Sequence, residues 1–359
     1  MLYCIILLWG NCMSYFEKVI GQQDIIAHVS DLVKRQTLPH SLLFYGEAGL
    51  GKLEVAIGLA SLLIGRQVFS NDKGQTYLDA VKRARVIDGE SEKASEAQGL
   101  PIYMDKGEAF WLRPMKATLK VEQWYELLNE YLNKASDNNR VVIVEDFQTA
   151  NAVMANAMLK TIEEPPRNTY FIIITNQIAN VLPTILSRCM SVSFGPVEDY
   201  IIEAALRKEG FTGDLSLPIG AGQGNPALVR QFATEDSLPL LNLAMDVLEI
   251  LPEALFFTKA SLATEGLNRD ELKELMAWLR LLSRDMMALK FGSSDDVLQC
   301  PLFKLRMLQI LPKWSARALL QVQSETLGAE EALRLYIKAN LVMDGVLIAL
   351  RQVIKEDNQ

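Results

Sequence analysis

"HSLLFYGEAGLGKLEVAIGLASLLIG", residues 40–65, decides the fold. An unbroken apolar run, Leu42 to Tyr45, meets a glycine-rich turn, and helical apolar spacing takes over from Leu53. Strand, loop and helix follow one another as a phosphate-binding loop requires. In such a loop the glycines let backbone N–H groups close around phosphates. A lysine reaches the β- and γ-phosphates, and the hydroxyl after it helps to hold Mg²⁺. Gly46, Gly49, Gly51 and Lys52 fit G-x-x-x-x-G-K, but Leu53 stands where Ser or Thr is needed. Without that oxygen the metal bridging the phosphates loses a protein ligand, so hydrolysis at this loop is expected to be crippled.

The same layout returns in "NRVVIVEDFQTAN", residues 139–151, where the apolar run Val141 to Val144 ends in two acids and a helical pattern follows. "TYFIIITN", residues 169–176, is a third buried-type strand. Short β-branched runs separated by helices imply a parallel sheet covered on both faces. Most enzymes built this way end the acidic strand Asp-Glu, the Asp orienting the metal and the Glu polarising water. Here the order is Glu145-Asp146, which shortens the base by one methylene; a misplacement on the order of 1 Å can cost ~100-fold. The lesser alternative is that the two acids merely cap a strand end. Asn176, beside Thr175, is a candidate for orienting water near a γ-phosphate or a plain turn residue.

Ser187, Arg188 and Cys189 follow the third strand in "LSRCMSVSF". A guanidinium is permanently charged and suits the oxygens of a transferring phosphate, so such an arginine can complete a neighbour's site. Taken alone, Arg188 reads as an ordinary solvated arginine. The acids of "LKTIEEPP", residues 159–166, read as solvated, with Pro165 and Pro166 ending their helix.

At 359 residues the chain is long enough for two or three domains, and half of its residues are apolar. Its net charge of -8 argues against wrapping nucleic acid unaided. Four cysteines without a C-x-x-C pair, beside two histidines, indicate neither zinc nor a disulfide framework and suit reduced thiols in a cytoplasmic protein. The apolar opening "MLYCIILLWGNC" is too short to cross a bilayer and lacks a basic n-region. Translation is expected to begin at Met13, a weak signal segment being the alternative.

Residues of about 70–115 read as an exposed charged insertion. Past Pro196 the strand signal ends; a small helical unit runs to about 235, and helical text continues to the C-terminus. "RDELKELMAWLRLLSRDMMALKFG" stops at Gly292, and "AEEALRLYIKANLVMDGVLIALRQVI" reads as one long final helix with a wide apolar side.

"FEKVIGQQDIIAHVSDLVKRQTLPHSLLFYGEAGLGK", "LKTIEEPP" and "ILSRC", in this order, resemble the clamp-loader branch of AAA+ ATPases, in particular subunits of the bacterial DNA polymerase III loader. The resemblance covers about residues 13–235. It implies an α/β P-loop domain over 13–196, a helical lid over 197–236 and an all-α collar, the oligomerisation domain, over 237–359, with residues 1–12 a non-native or disordered extension. It implies a ring with other clamp-loader subunits (delta, gamma/tau) that places a sliding clamp on primer-template DNA during replication, with no membrane involved. In that setting Arg188 would be a trans arginine finger with Ser187 and Cys189 as motif neighbours. Gly46, Gly49, Gly51, Lys52, Glu145, Asp146 and Asn176 would be a degenerate nucleotide site. No cofactor is required; ATP or ADP could be bound without turnover. No Cys lies between Lys52 and Glu145, so the zinc module of many members is missing. Ala227 stands where a lid arginine is usual, with Arg230 a turn later. A self-sufficient ATPase, such as the loader's hydrolysing subunit, and a catalytically silent adaptor are the alternatives.

Overall fold

The computed structural model describes residues 14–69, 102–114, 118–134, 136–234, 237–253, 260–261, 263–294, 297–334 and 337–357. The expected start at Met13 and residues 70–101 of the expected insertion lie outside them. Contacts divide the chain into Met1–Glu198 and Asp199–Gln359.

The first unit holds strands β1 (Ser41–Tyr45), β2 (Ile102–Asp105), β3 (Ala109–Leu112), β4 (Arg140–Val144), β5 (Thr169–Thr175) and β6 (Met190–Ser193). Their order across the sheet is β2-β3-β4-β5-β1-β6; β2 is antiparallel to β3 and every other pairing is parallel. Alternation within the strands feeds two cores. Val141 and Ile143 join Val55 and Leu59 on one face, while Val142 and Val144 join Met154 and Met158 on the other. Helices α1 (Gln23–Lys34) and α2 (Lys52–Ile64) cover the first face. Helices α3 (Val121–Leu127), α4 (Ala152–Glu163) and α5 (Pro183–Leu186) cover the second. Burial on both faces explains why these strands read as unbroken apolar runs.

The end of the expected insertion is corrected here. "AFWL" at 109–112 is fully buried and pairs with β4, and 102–105 adds an antiparallel edge strand. Four apolar letters inside a charged stretch are too short a signal to separate strand from loop. β6 escaped notice for a related reason: "MSVS" buries only Val192 of its four residues, as an edge strand does.

The second unit contains α6 (Asp199–Lys208), α7 (Ser216–Gly222), α8 (Pro226–Phe232), α9 (Ser237–Ile250), α10 (Arg269–Lys290), α11 (Lys304–Ile310), α12 (Ala316–Arg334) and α13 (Ala339–Asp357). Asn268 caps α10 by accepting from the N–H groups of Asp270 and Glu271, and Gly292, at φ 73°, closes its other end. One core joins Phe232, Leu248, Trp278, Met307, Leu319 and Leu347, so the expected lid and collar helices share it; the rings of Phe232 and Trp278 lie 4.4 Å apart. The single final helix is corrected to two, α12 and α13, which pack on each other. The apolar side noted in the sequence is too wide for one face of a straight rod, and folding it back on itself buries Leu333, Met343 and Leu350 in the common core.

Candidate nucleotide site and a separate surface arginine

The loop 46–51 leaves β1 at its carboxyl end, between the ends of β5 and β6, where open α/β sheets bind ligands. Gly46 has φ 143°, and a Cβ there would lie 2.4 Å from the Phe194 carbonyl oxygen, so no other residue fits. Gly51, at φ 84°, precedes the first residue of α2. Gln22 steadies the turn by donating to the carbonyls of Leu50 (3.3 Å) and Gly195 (2.8 Å).

Lys52 is only 5% exposed. Its ammonium turns back on its own loop, donating to the carbonyl of Gly46 at 2.8 Å and to that of Glu47. Burial lowers its pKa from 10.5 to about 8, against the opposing pull of Asp146, Glu54, Glu47 and Glu145. Leu53 packs, partly buried, against the core beneath the loop and offers no oxygen.

Glu145 and Asp146 follow β4 and differ in their partners. The Oε2 atom of Glu145 accepts from Arg113 Nε at 2.9 Å and from Trp111 Nε1 at 3.1 Å. Arg113 and Glu145 are both 13% exposed, and the guanidinium lies 5.1 Å from the Trp111 ring centre. Pairing of β3 with β4 brings Arg113 alongside. The first acid therefore carries a fixed cation. Asp146, in a left-handed backbone conformation at φ 53°, accepts from Asn176 Nδ2 at 3.1 Å and from Gln148 Nε2 at 3.0 Å through Oδ1. The Gln148 side-chain oxygen Oε1 in turn accepts from the Thr175 hydroxyl and the Asn176 backbone N–H, at 3.1 and 3.0 Å. The ends of β4 and β5 are thus stitched together, and Asn176 and Asp146 meet.

Ser187, Arg188 and Cys189 are elsewhere. They lie between α5 and β6, and Met190, the first residue of β6, pairs with Leu42 near the start of β1. Since the phosphate loop follows Tyr45, three residues of parallel strand separate the two levels, roughly 10 Å of sheet. Arg188 is at the amino end of the strands, away from its own loop, with 38% of its side chain exposed. Cys189 packs on the second core, and burial raises its thiol pKa to about 11, which suits packing and not nucleophilic chemistry. In the second unit Ala227 is exposed, and Arg230 forms a two-pronged pair with Glu209, at 2.9 and 2.6 Å.

Sequence reading missed Gln22, Trp111, Arg113, Gln148 and Glu163. Gln148 could have been found from its place two residues after the paired acids. Arg113 had a weak signal, a cation ending a short apolar run, while Glu163, read as solvated and exposed in the structure, owes its pairing with Arg188 to the fold.

Comparisons place these features among known proteins. Residues 21–198 match the family model described as DNA polymerase III, delta subunit. The DNA polymerase III subunit delta' of Bacillus subtilis (strain 168) is 22% identical over 300 residues, 81% of this chain and 85% of that one. The DNA polymerase III subunit tau/gamma of Haemophilus influenzae is 30% identical over 236 residues, 64% of this chain but only 31% of that longer one. Among solved structures, a DNA polymerase III gamma subunit-related protein of Thermotoga maritima aligns with 90% of this chain and 98% of its own at 17% identity, with a TM-score of 0.44. That score is too low for the alignment to carry an argument. The family match through the α/β unit and the alignment along most of a delta' relative support a clamp-loader subunit of the delta' kind.

Proposed function

We propose that this chain is a cytoplasmic subunit of a DNA polymerase III clamp loader and helps to load the sliding clamp on primed DNA. It acts as a stator and lends Arg188 to the ATP site of a neighbouring subunit, while its own site is degenerate. The three-part organisation into an α/β domain (13–196), lid (197–236) and collar (237–359) belongs to the same reading. One observation carries it: strand register puts Arg188 at the sheet end opposite to its own phosphate loop, so any phosphate it serves belongs to another chain.

The loop supports the second half of the proposal. Mg²⁺ does not suit the residues present, because Leu53 has no oxygen and Glu145 is already paired with Arg113. Asp146, in the base position, is engaged by two side-chain amides. The glycines retain the backbone shape for phosphate, which leaves nucleotide binding without turnover compatible with the site. Lys52 and the loop then serve as scaffold between β1 and α2.

The test uses the loader assembled from this chain, a gamma-type ATPase subunit, the remaining loader subunits, the clamp and primed DNA. Arg188→Ala is expected to lower ATP hydrolysis at the neighbouring site by ~10³-fold or more, the magnitude of a lost arginine finger. An unchanged rate would favour the silent adaptor. Turnover by the pure chain at the rate of a competent motor would favour the self-sufficient ATPase instead.

A further inference from the structure

The two motifs left without a task, "LKTIEEPP" and the residues before Arg188, meet in space. Helix α4 ends at Glu163 because Glu164 leaves helical geometry ahead of Pro165. Its carboxyl end packs beside α5, which leads into Ser187 and Arg188. Glu163 Oε1 lies 2.5 Å from Arg188 Nε. The Nη1 group of the same guanidinium donates to the Thr184 carbonyl at 3.0 Å and to the Ser187 hydroxyl at 3.1 Å. The Ser187 hydroxyl itself donates to the Thr184 carbonyl at 3.1 Å.

A guanidinium has five N–H donors in a rigid planar fork. Nη1 makes two hydrogen bonds, and Nε is held by its ion pair with Glu163. Among the described residues nothing accepts from Nη2. The head is held through Nε and Nη1, and the two diverging donors of Nη2 are left for an acceptor from outside in a side chain that is 38% exposed. A free arginine side chain has many rotamers to lose on meeting a phosphate, and preorganisation removes that cost.

Resting on the reading of Arg188 as a donor to a neighbour's phosphate, we infer that Glu163 is its positioning residue. The Glu163 carboxylate fixes the Nε edge so that Nη2 faces the neighbouring subunit's terminal phosphate. Ser187 completes the clamp, which accounts for its place beside the arginine. Glu163 touches neither nucleotide nor water in the reaction; it acts only through Arg188.

The experiment is steady-state ATP hydrolysis by the assembled loader, with kcat and KM separated, for the parent, Glu163→Ala, Glu163→Gln and Arg188→Ala. Glu163→Ala is expected to lower kcat on the order of 10-fold, within the range of misplacement effects, and to leave KM for ATP unchanged. Glu163→Gln keeps an acceptor oxygen and is expected to stay within about 3-fold of the parent. Glu163 is exposed, so neither change should alter the melting temperature of the isolated chain, which serves as the folding control. Loss in Arg188→Ala with parental kcat, or a faster one, in Glu163→Ala would overturn the inference and leave the donor role standing. Equal losses in the alanine and glutamine variants would assign the effect to charge and overturn positioning as well. No loss in Arg188→Ala would remove the donor role itself, and this inference with it.

Discussion

Lys52 and Arg188 are both cations suited to phosphate, carried by one sheet at opposite ends, and their surroundings are inverted. Lys52 is buried, desolvated and bonded to the carbonyls of its own loop; Arg188 is held through Nε and Nη1 and its side chain is 38% exposed. The difference shows that motif chemistry is not enough to locate activity. In the proposed reading, a lysine that donates to two carbonyls of its own loop, followed by a leucine where the hydroxyl would be, contributes to folding. In the same proposal, an arginine at the far end of the strands contributes across a subunit boundary.

The comparison is easiest to break at Arg188. Beside its ~10³-fold effect in the assembled loader, Lys52→Ala in the same assay should change hydrolysis by less than about 2-fold, because the loop is scaffold in this reading. A loss as large in Lys52→Ala would erase the contrast between the two cations.

Burial of Lys52 predicts a pH signature. Its pKa falls from 10.5 to about 8 on folding, so between those values the unfolded chain binds more protons and stability rises with pH. Relative to Lys52→Met, the parent should gain up to about 3 kcal/mol between pH 8 and 10.5, measured by denaturant unfolding of both proteins. A flat difference would mean that the ammonium is solvated.

A scaffold loop should also matter for stability with no nucleotide present. Gly46→Ala forces an L side chain to φ 143° and brings its Cβ to 2.4 Å from the Phe194 carbonyl oxygen. It should cost about 2 kcal/mol or more, whereas Arg188→Ala should cost under about 0.5 kcal/mol, as surface changes do. Equal melting temperatures for the two variants would blur the distinction.

The smallest expected effect is the most pointed. Leu53→Thr restores the missing hydroxyl, yet the isolated variant should release phosphate no faster than the parent, because Glu145 stays paired with Arg113 and the acid order stays inverted. A rate approaching that of a competent ATPase would show that Leu53 alone disables the site.

Much of this was legible in the chain itself. Apolar runs at 42–45, 141–144 and 169–175 became β1, β4 and β5, since strands covered on both faces have no polar positions to interrupt them. The loop glycines, Lys52, the paired acids and the Ser-Arg-Cys trio were visible because each is a short motif with its own chemistry. Arg113 was not, because its role comes from β3 lying next to β4, a pairing between residues far apart in sequence. Glu163 was not, because a helix C-terminus says nothing about which loop will pack against it. The hairpin of α12 and α13 was hidden for the same reason: helical periodicity runs through a break that core packing imposes.

The order of letters by itself determined the α/β character of the first unit, the glycine turn and the missing hydroxyl at Leu53, because these depend on local periodicity and on which atoms a side chain carries. Only the tertiary structure decided that Glu145 is neutralised by Arg113, that Lys52 bonds to its own loop, and that Arg188 lies at the other end of the sheet beside Glu163. Those outcomes follow from strand order and register, and hydrogen bonds between strands are made by residues whose separation along the chain carries no trace of the pairing.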